Sequence, residues 1–452
     1  MKKQELYVEK AIEWFDFWAS EYIKNVNYHG FSISVAKGNE VIYSNAFGIN
    51  TKDESLKDSH LFRMASHSKN MTAIAIMQLV EQNKLALDDK IVKHLDFLNS
   101  EDKVYQNITV RQVLNHSAGI KRDGFDATFW SNRRAFPDKL ELKEFFKNSK
   151  AYVENNTRLK YSNLGYGLLG LLIEKITGQE YNQYIQDNLF VGLDYIAMDS
   201  DLVDKSKTAK GYLWKSLTGK FEVIETIQST GSLSAATGLV ATTKSMCEFY
   251  TKLYYGNESL ISDESKKELF KANFDMSEDA KVKYGLGFRN KDYKGFTQIG
   301  HTGGFPGHMT ATACEPKEKI VISCASNDIY GAPLSIVNTF IDFLKLFEKN
   351  KKDLVEQDEY NFKKVMVSLW GIALYLPIGN KVYALSAECP IPTNNCNELE
   401  KDGSDTKYKI TKSETTGFYG EEVEFFFDEE KILKSLNWAG CTMARKEGFK
   451  LP

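Results

Sequence analysis

The sequence predicts an α+β fold, an antiparallel sheet flanked by helices with a helical insertion, followed by a small antiparallel β-barrel or sandwich. Three patterns carry that expectation. Strand signals sit at both ends of the first 350 residues, with helical signals between them. One apolar stretch, Phe62 to Leu87, is apolar around most of its circumference. Beyond the charged run Lys349-Asn350-Lys351-Lys352-Asp353 the pattern changes to alternating strands.

Taken in order, residues 5 to 26 read as an amphipathic, acidic helix. Phe31 to Ala36 and Val41 to Phe47 alternate as strands about the turn Lys37-Gly38-Asn39. The stretch from Phe62 runs through Met71, Ala73, Ile74, Ala75, Ile76, Met77, Leu79 and Val80 to the polar break Glu81-Gln82-Asn83-Lys84, and reads as a helix buried on all sides. From about 88 to 275 helical signals dominate, clearest in Leu164 to Lys175 and Lys244 to Tyr255. Strands return at Gly287 to Phe288 with Phe296 to Ile299, at His308 to Cys314, and at Ile320 to Ala325. The last two flank the hairpin turn Glu315 to Lys319. A helix from Pro333 to Glu348 closes the first domain, 1–350. Strands at Val365 to Leu376, Lys381 to Ala387, Lys407 to Lys412, Glu422 to Phe427 and Leu433 to Trp438 fill the second, 357–452.

Composition narrows the function classes. A 42% hydrophobic content supports a large core, and a net charge of −3 provides no basic footprint for nucleic acid. No apolar run reaches a membrane span of roughly 18 residues. The N-terminus lacks the apolar core of a signal peptide, which predicts a cytoplasmic protein, or a periplasmic or secreted one if a leader has been trimmed. The six cysteines lack Cys-x-x-Cys spacing, so no metal or cofactor is expected. Cys389 and Cys396 flank a loop and would pair in an oxidising compartment; free thiols are the default in a cytosol.

Three segments carry chemistry. Ser66 and Lys69, three apart, share one face at the first turn of the buried helix, where free amides and the dipole favour developing negative charge. Ser66 is either a nucleophile with an amine beside it or a helix cap. Tyr161-Ser162-Asn163 precedes an apolar helix. Tyr161 offers a phenol for proton relay and Asn163 an amide for substrate, or else Ser162 or Asn163 caps that helix. His301, Thr302, Gly303 and Gly304 form a polar, glycine-rich edge before the strand at His308. A substrate backbone can approach it closely, and Gly304 has an amide suited to an oxyanion; His301 taken alone reads first as a structural histidine. Gly165 to Gly170 fits G-x-G-x-x-G, but a polar segment precedes it, so it reads as helix packing and not as a dinucleotide site.

Together, Ser66-His67-Ser68-Lys69, Tyr161-Ser162-Asn163 and His301-Thr302-Gly303 resemble, in order and spacing, the three motifs of the serine β-lactamase and penicillin-binding-protein superfamily. The resemblance is to its class C branch of D-aminopeptidases, DD-peptidases and esterases. Val113 to Gly119 is similar to that branch's LLTHTSGL segment, Thr237 to Thr242 to its GGLVST segment, and Tyr284 to Phe288 to its YGLGW segment. The resemblance covers roughly 10 to 348. It implies an acyl-enzyme on Ser66, with Lys69 accepting the proton, Tyr161 as partner base and relay, and Asn163 orienting the substrate amide. It further implies that His301 lines the strand side and that the Ser66 and Gly304 amides form the oxyanion hole. The implied substrate is a small amide, D-amino-acid peptide or ester. The alternatives are a non-catalytic penicillin-binding sensor and a genuine class C β-lactamase. His301 stands where β-lactamases of the branch carry lysine, and Asn155-Asn156 replaces the usual Pro-Gly.

Overall fold

The strand Gly30–Lys37 carries Phe31, Ile33 and Val35 on one face and small Ser32, Ser34 and Ala36 on the other, and every residue but Lys37 is buried. In the computed structural model, which describes residues 5–447 and 449 apart from 214–218, 221, 225–227, 277–280 and 414–416, this strand lies inside an antiparallel sheet. Its small face admits the helix Thr243–Thr251, with Ser32 and Ser34 Oγ at 2.9 and 2.8 Å from Thr243 Oγ1. Glu40–Thr51 pairs on one edge and Ile320–Ser326 on the other, Phe31 lying opposite Ser326. From there the sheet continues through His308–Glu315, Phe296–Phe305, Arg289–Tyr293, Val282–Tyr284 and Phe274–Asp275, and Glu54–Ser55 closes the opposite edge. Both ends of the segment therefore build one sheet around a largely helical middle, as the pattern predicts.

The expected strand at Gly287 to Phe288 is absent. Those residues form a bend between Val282–Tyr284 and Arg289–Tyr293. Gly287 has φ 80, a left-handed conformation that ends the strand. A Cβ there would sit 2.5 Å from that of Ala73.

The helix Ser68–Glu81 is the centre of this part. Its residues from Ser68 to Met77 are all buried, and polar members are satisfied internally. Asn70 Nδ2 donates to Gly287 O (2.6 Å) and accepts Tyr250 OH at Oδ1 (2.6 Å). The polar break ends it: Asn83 at φ 57 takes the left-handed position, and the Asn83 and Lys84 amides return to Val80 and Leu79 carbonyls. In the glycine-rich helix Asn163–Thr177, a Cβ at Gly170 would lie 3.0 Å from Ala235 Cβ. The glycines are packing residues, as expected.

By compactness the chain divides into His29–Leu334 and a second unit made of the residues before His29 together with Ser335 onward. Within the second unit, Phe15 of the helix Leu6–Asn25 packs on Phe340 of the helix Pro333–Lys349, ring centroids 5.2 Å apart. The same unit holds a closed antiparallel barrel of eight strands. The barrel has more strands than the sequence pattern suggests. Val365 to Leu376 is not one strand but two, Met366–Ser368 and Gly371–Ile378, broken at Leu369-Trp370. Asn397–Lys401 and Cys441–Arg445 add two more. Cys389 and Cys396 are not joined by a disulfide. Among the described residues no helix is long and apolar enough to cross a membrane.

Candidate active site

Between Leu61 and Met77, Ser66 alone is not buried. It lies in the turn joining the strand Phe62–Ala65 to the helix, which starts at Ser68, so Ser66 precedes the first helical turn and does not sit in it. His67 occupies the N-cap position and no side chain caps the helix. Ser66 is therefore not a capping serine. Ala65 has φ 50, a strained conformation for a residue with a Cβ. Neighbouring bonds hold it: Ser68 Oγ donates to Ala65 O (2.7 Å) and accepts Leu239 N (2.9 Å), and His67 Nδ1 lies 2.8 Å from Met64 O.

Lys69 Nζ is 3.3 Å from Ser66 Oγ and donates to Asn163 Oδ1 and Ala236 O, both at 2.8 Å. Tyr161 OH donates to Ser66 Oγ at 3.0 Å. The triplet around Tyr161 splits its roles. Ser162 caps the helix Asn163–Thr177 by accepting Gly165 N (2.9 Å), which leaves Asn163 for the site. Asn163 Nδ2 donates to Asp123 Oδ1 at 2.6 Å, so one amide hydrogen remains for substrate. His116 stacks beside Tyr161, centroids 4.2 Å apart, and accepts Ser162 N at Nδ1 (3.2 Å).

The strand Phe296–Phe305 forms the opposite wall. Its neighbour Arg289–Tyr293 pairs no further than Arg289 opposite Gly300, so among the described residues that edge has no strand partner from His301 to Phe305. Gly303 is required here: a Cβ would lie 2.3 Å from both Met64 O and Thr310 Oγ1. Gly304 is exposed and Thr302 partly so. His301 does not line the cleft as expected. Its ring is 4% exposed. Nδ1 lies 2.6 Å from Thr302 O and Nε2 3.0 Å from Tyr284 OH, so both nitrogens are already engaged.

Burial dominates the electrostatics. It drives Lys69 well below the ordinary lysine value, helped by the charge of Arg122 and opposed by Asp123. It pushes the Tyr161 phenol up to about 12, against the Ser66 hydrogen bond and the cations Arg122 and Arg289. The phenol form of Tyr161 is thus favoured over the phenolate, because desolvation outweighs the nearby positive charges. Burial likewise keeps His301 and His116 neutral, with Lys69 adding to both shifts. Lys69 Nζ has two fixed acceptors, Asn163 Oδ1 and Ala236 O, and turns its remaining position toward Ser66 Oγ.

Sequence reasoning missed Asp123, Ala236 and Arg289. Asp123 lies in a loop without a motif, and Ala236 acts through a carbonyl that any residue would supply. Arg289 Nη1 donates to Thr302 Oγ1 at 2.5 Å, and its Nε has no partner. Among the described residues no carboxylate pairs with Arg289, and no group of three metal-ligating side chains exists.

Residues 15–344 match the family model described as Beta-lactamase. Penicillin-binding protein 4* of Bacillus subtilis is 27% identical over 296 residues, 62% of this chain and 64% of that protein. Protein flp of Staphylococcus aureus is 30% identical over 164 residues, 35% of this chain and 32% of that protein. The chain thus matches less than two thirds of the length of these relatives. Among solved structures, the octameric penicillin-binding protein homologue from Pyrococcus abyssi aligns with a TM-score of 0.66 at 22% identity, covering 96% of this chain and 99% of that one. The D-amino acid amidase from Ochrobactrum anthropi SV3 aligns at 0.61 and 21%, covering 76% of this chain and 99% of that one. These structures share the fold, the family model spans the whole sheet-and-helix segment that carries Ser66, Lys69 and Tyr161, and the chain belongs to the beta-lactamase family.

Proposed function

We propose that the chain is a serine hydrolase that forms an acyl-enzyme on Ser66. The observation that carries this reading is Ser66 itself, the one unburied residue of its stretch, with its Oγ held between the Lys69 amine at 3.3 Å and the Tyr161 phenol at 3.0 Å. Lys69 Nζ takes the Ser66 proton as Oγ bonds the substrate carbonyl carbon, and the carbonyl electrons move onto oxygen. The Ser66 and Gly304 amides receive that oxyanion. As the intermediate collapses, the carbon–leaving-group bond breaks. The leaving group takes the Tyr161 proton, and the Lys69 ammonium reprotonates the phenol. Water then replaces the leaving group and the steps run in reverse to free Ser66.

The substrate reading is a D-amino-acid-containing peptide or small amide, with esters as simpler acyl donors. Three things support it: the open edge from His301 to Phe305, on which an extended backbone can lie; the D-amino acid amidase among the structural neighbours; and Arg289. That guanidinium is partly desolvated and lacks an acidic partner among the described residues, so it fits a substrate carboxylate beside Thr302. It supplies the cation that His301 does not. A fluorophosphonate should label the wild type and not Ser66→Ala. A panel of D-Ala-D-Ala peptides, D-aminoacyl amides, p-nitrophenyl esters and nitrocefin then ranks the substrates. Labelling that survives in Ser66→Ala removes the proposal.

A further inference from the structure

The eight-stranded barrel is not filled along its whole length. Side chains at Ala373, Tyr375, Ala384, Trp438, Cys441 and Met443 share its inner face, as their pairings place Tyr375 opposite Ala384 and Trp438 opposite Cys441. Tyr375 forms a floor. Its ring meets those of Phe425 and Trp438 at 5.2 and 6.2 Å, and its hydroxyl donates to Met443 Sδ at 3.1 Å. Above that floor a cavity of about 780 Å³ opens at one end of the barrel. Eight-stranded barrels have an interior of the size that holds one small ligand, and barrel mouths are common ligand sites.

The lining selects a ligand chemistry. The rim carries Trp370, 93% exposed at the break between two strands, and Phe418, whose ring lies 6.1 Å from Trp438. No lysine, arginine or histidine lines the cavity among the described residues; its one charged group is Glu388. Glu388 stands beside the Trp370-Gly371 corner, with Oε2 3.8 Å from where a Gly371 Cβ would be. No ion pair involves Glu388 among the described residues. An unpaired carboxylate beside an exposed indole, over an apolar lumen, suits a cation with an apolar body. We infer that the barrel mouth is a binding site for a hydrophobic organic cation. The apolar part enters the lumen against Tyr375 and Met443, and the ammonium rests between Glu388 and Trp370. This inference does not rest on the proposed hydrolysis.

The test uses the full chain and three dansyl probes that share a fluorophore: dansylcadaverine (cationic), dansylamide (neutral) and 11-(dansylamino)undecanoate (anionic). Dansylcadaverine should bind saturably with one-to-one stoichiometry, about fivefold tighter than dansylamide. Glu388→Gln should remove that difference and leave dansylamide unchanged, whereas Trp370→Ala should weaken both. Ala384→Trp should fill the lumen and abolish binding. If that variant does not fold, the exposed Trp370→Ala still decides. Three results overturn the inference: no saturable binding, tighter binding of the anionic probe, or binding unaffected by Trp370→Ala and Glu388→Gln.

Discussion

Replacing Lys69 by alanine separates the two groups that flank Ser66 Oγ. If Lys69 is the base, its loss leaves only Tyr161 within hydrogen-bonding distance to accept the Ser66 proton. Burial pushes the Tyr161 phenol up to about 12. At pH 7 roughly one phenol in 10⁵ is ionised, a deficit of about 7 kcal/mol at 1.36 kcal/mol per pH unit. Tyr161 therefore cannot take over, and acylation should fall by at least about 10²-fold, the lower end for loss of a general base. The assay is single-turnover labelling by a fluorophosphonate across pH. A base acts when unprotonated, so the wild-type rate rises with pH through the Lys69 pKa, which lies well below 10.5. In Lys69→Ala that limb should move up toward about 12, where Tyr161 ionises. Labelling within tenfold of wild type, or an unmoved pH limb, would refute the assignment of Lys69 as base.

Other expectations follow from the same geometry. Gly303→Ala places a Cβ 2.3 Å from Met64 O, so the strand must leave the Ser66 turn; acylation should drop more than about tenfold, with about 1–3 kcal/mol lost in urea melts. Arg289→Gln should raise KM for a carboxylate-terminated peptide by about 10- to 100-fold while p-nitrophenyl acetate hydrolysis stays near wild type; equal losses on both substrates refute the carboxylate contact. His67 is fully buried and burial lowers it from 6.5 to about 4. Its folded-state pKa is below the unfolded one, so the unfolded chain binds the proton first as pH falls. Stability should therefore decline between pH 6.5 and 4, by roughly 3 kcal/mol from this residue, and chemical denaturation at stepped pH measures it. Ending the chain after Asp353 removes the barrel. The unit His29–Leu334 should remain folded and open to Ser66 labelling, whereas an unfolded product by circular dichroism shows a shared core.

Local pattern made much of this legible. The even apolarity of residues 71 to 80 gave away a helix with no solvent face, because only complete burial tolerates that distribution. The stretch read as helix begins at Phe62, six residues early: Phe62–Ala65 is a strand, and Ser66 and His67 form a turn before the helix starts at Ser68. The motifs located Ser66, Lys69 and Tyr161, but not how Asn163 is divided between Lys69 and Asp123. That depends on a loop whose path no periodicity encodes. His301 was misplaced for a related reason. Which way a strand residue faces is set by register, and its burial is set by Tyr284, a partner far from it in pattern. The barrel strands Asn397–Lys401 and Cys441–Arg445 escaped notice because short, charged, half-exposed strands alternate weakly.

The pairing of Phe31 with Ser326 has a consequence for how the molecule is made. The strand Gly30–Lys37 can pair with Glu40–Thr51 as soon as both have left the ribosome, but its second neighbour lies almost 300 residues downstream. At 5–20 residues per second, that hairpin waits for roughly 15–60 s with one edge bare. An edge so apolar, exposed for so long, is a template for pairing with another chain. Stalled nascent chains ending before Ile320 should thus be trapped by chaperones or aggregate, whereas release past Ser326 should suppress both. The two segments that close the sheet also set the minimum time before Ser66 meets the strand wall opposite it.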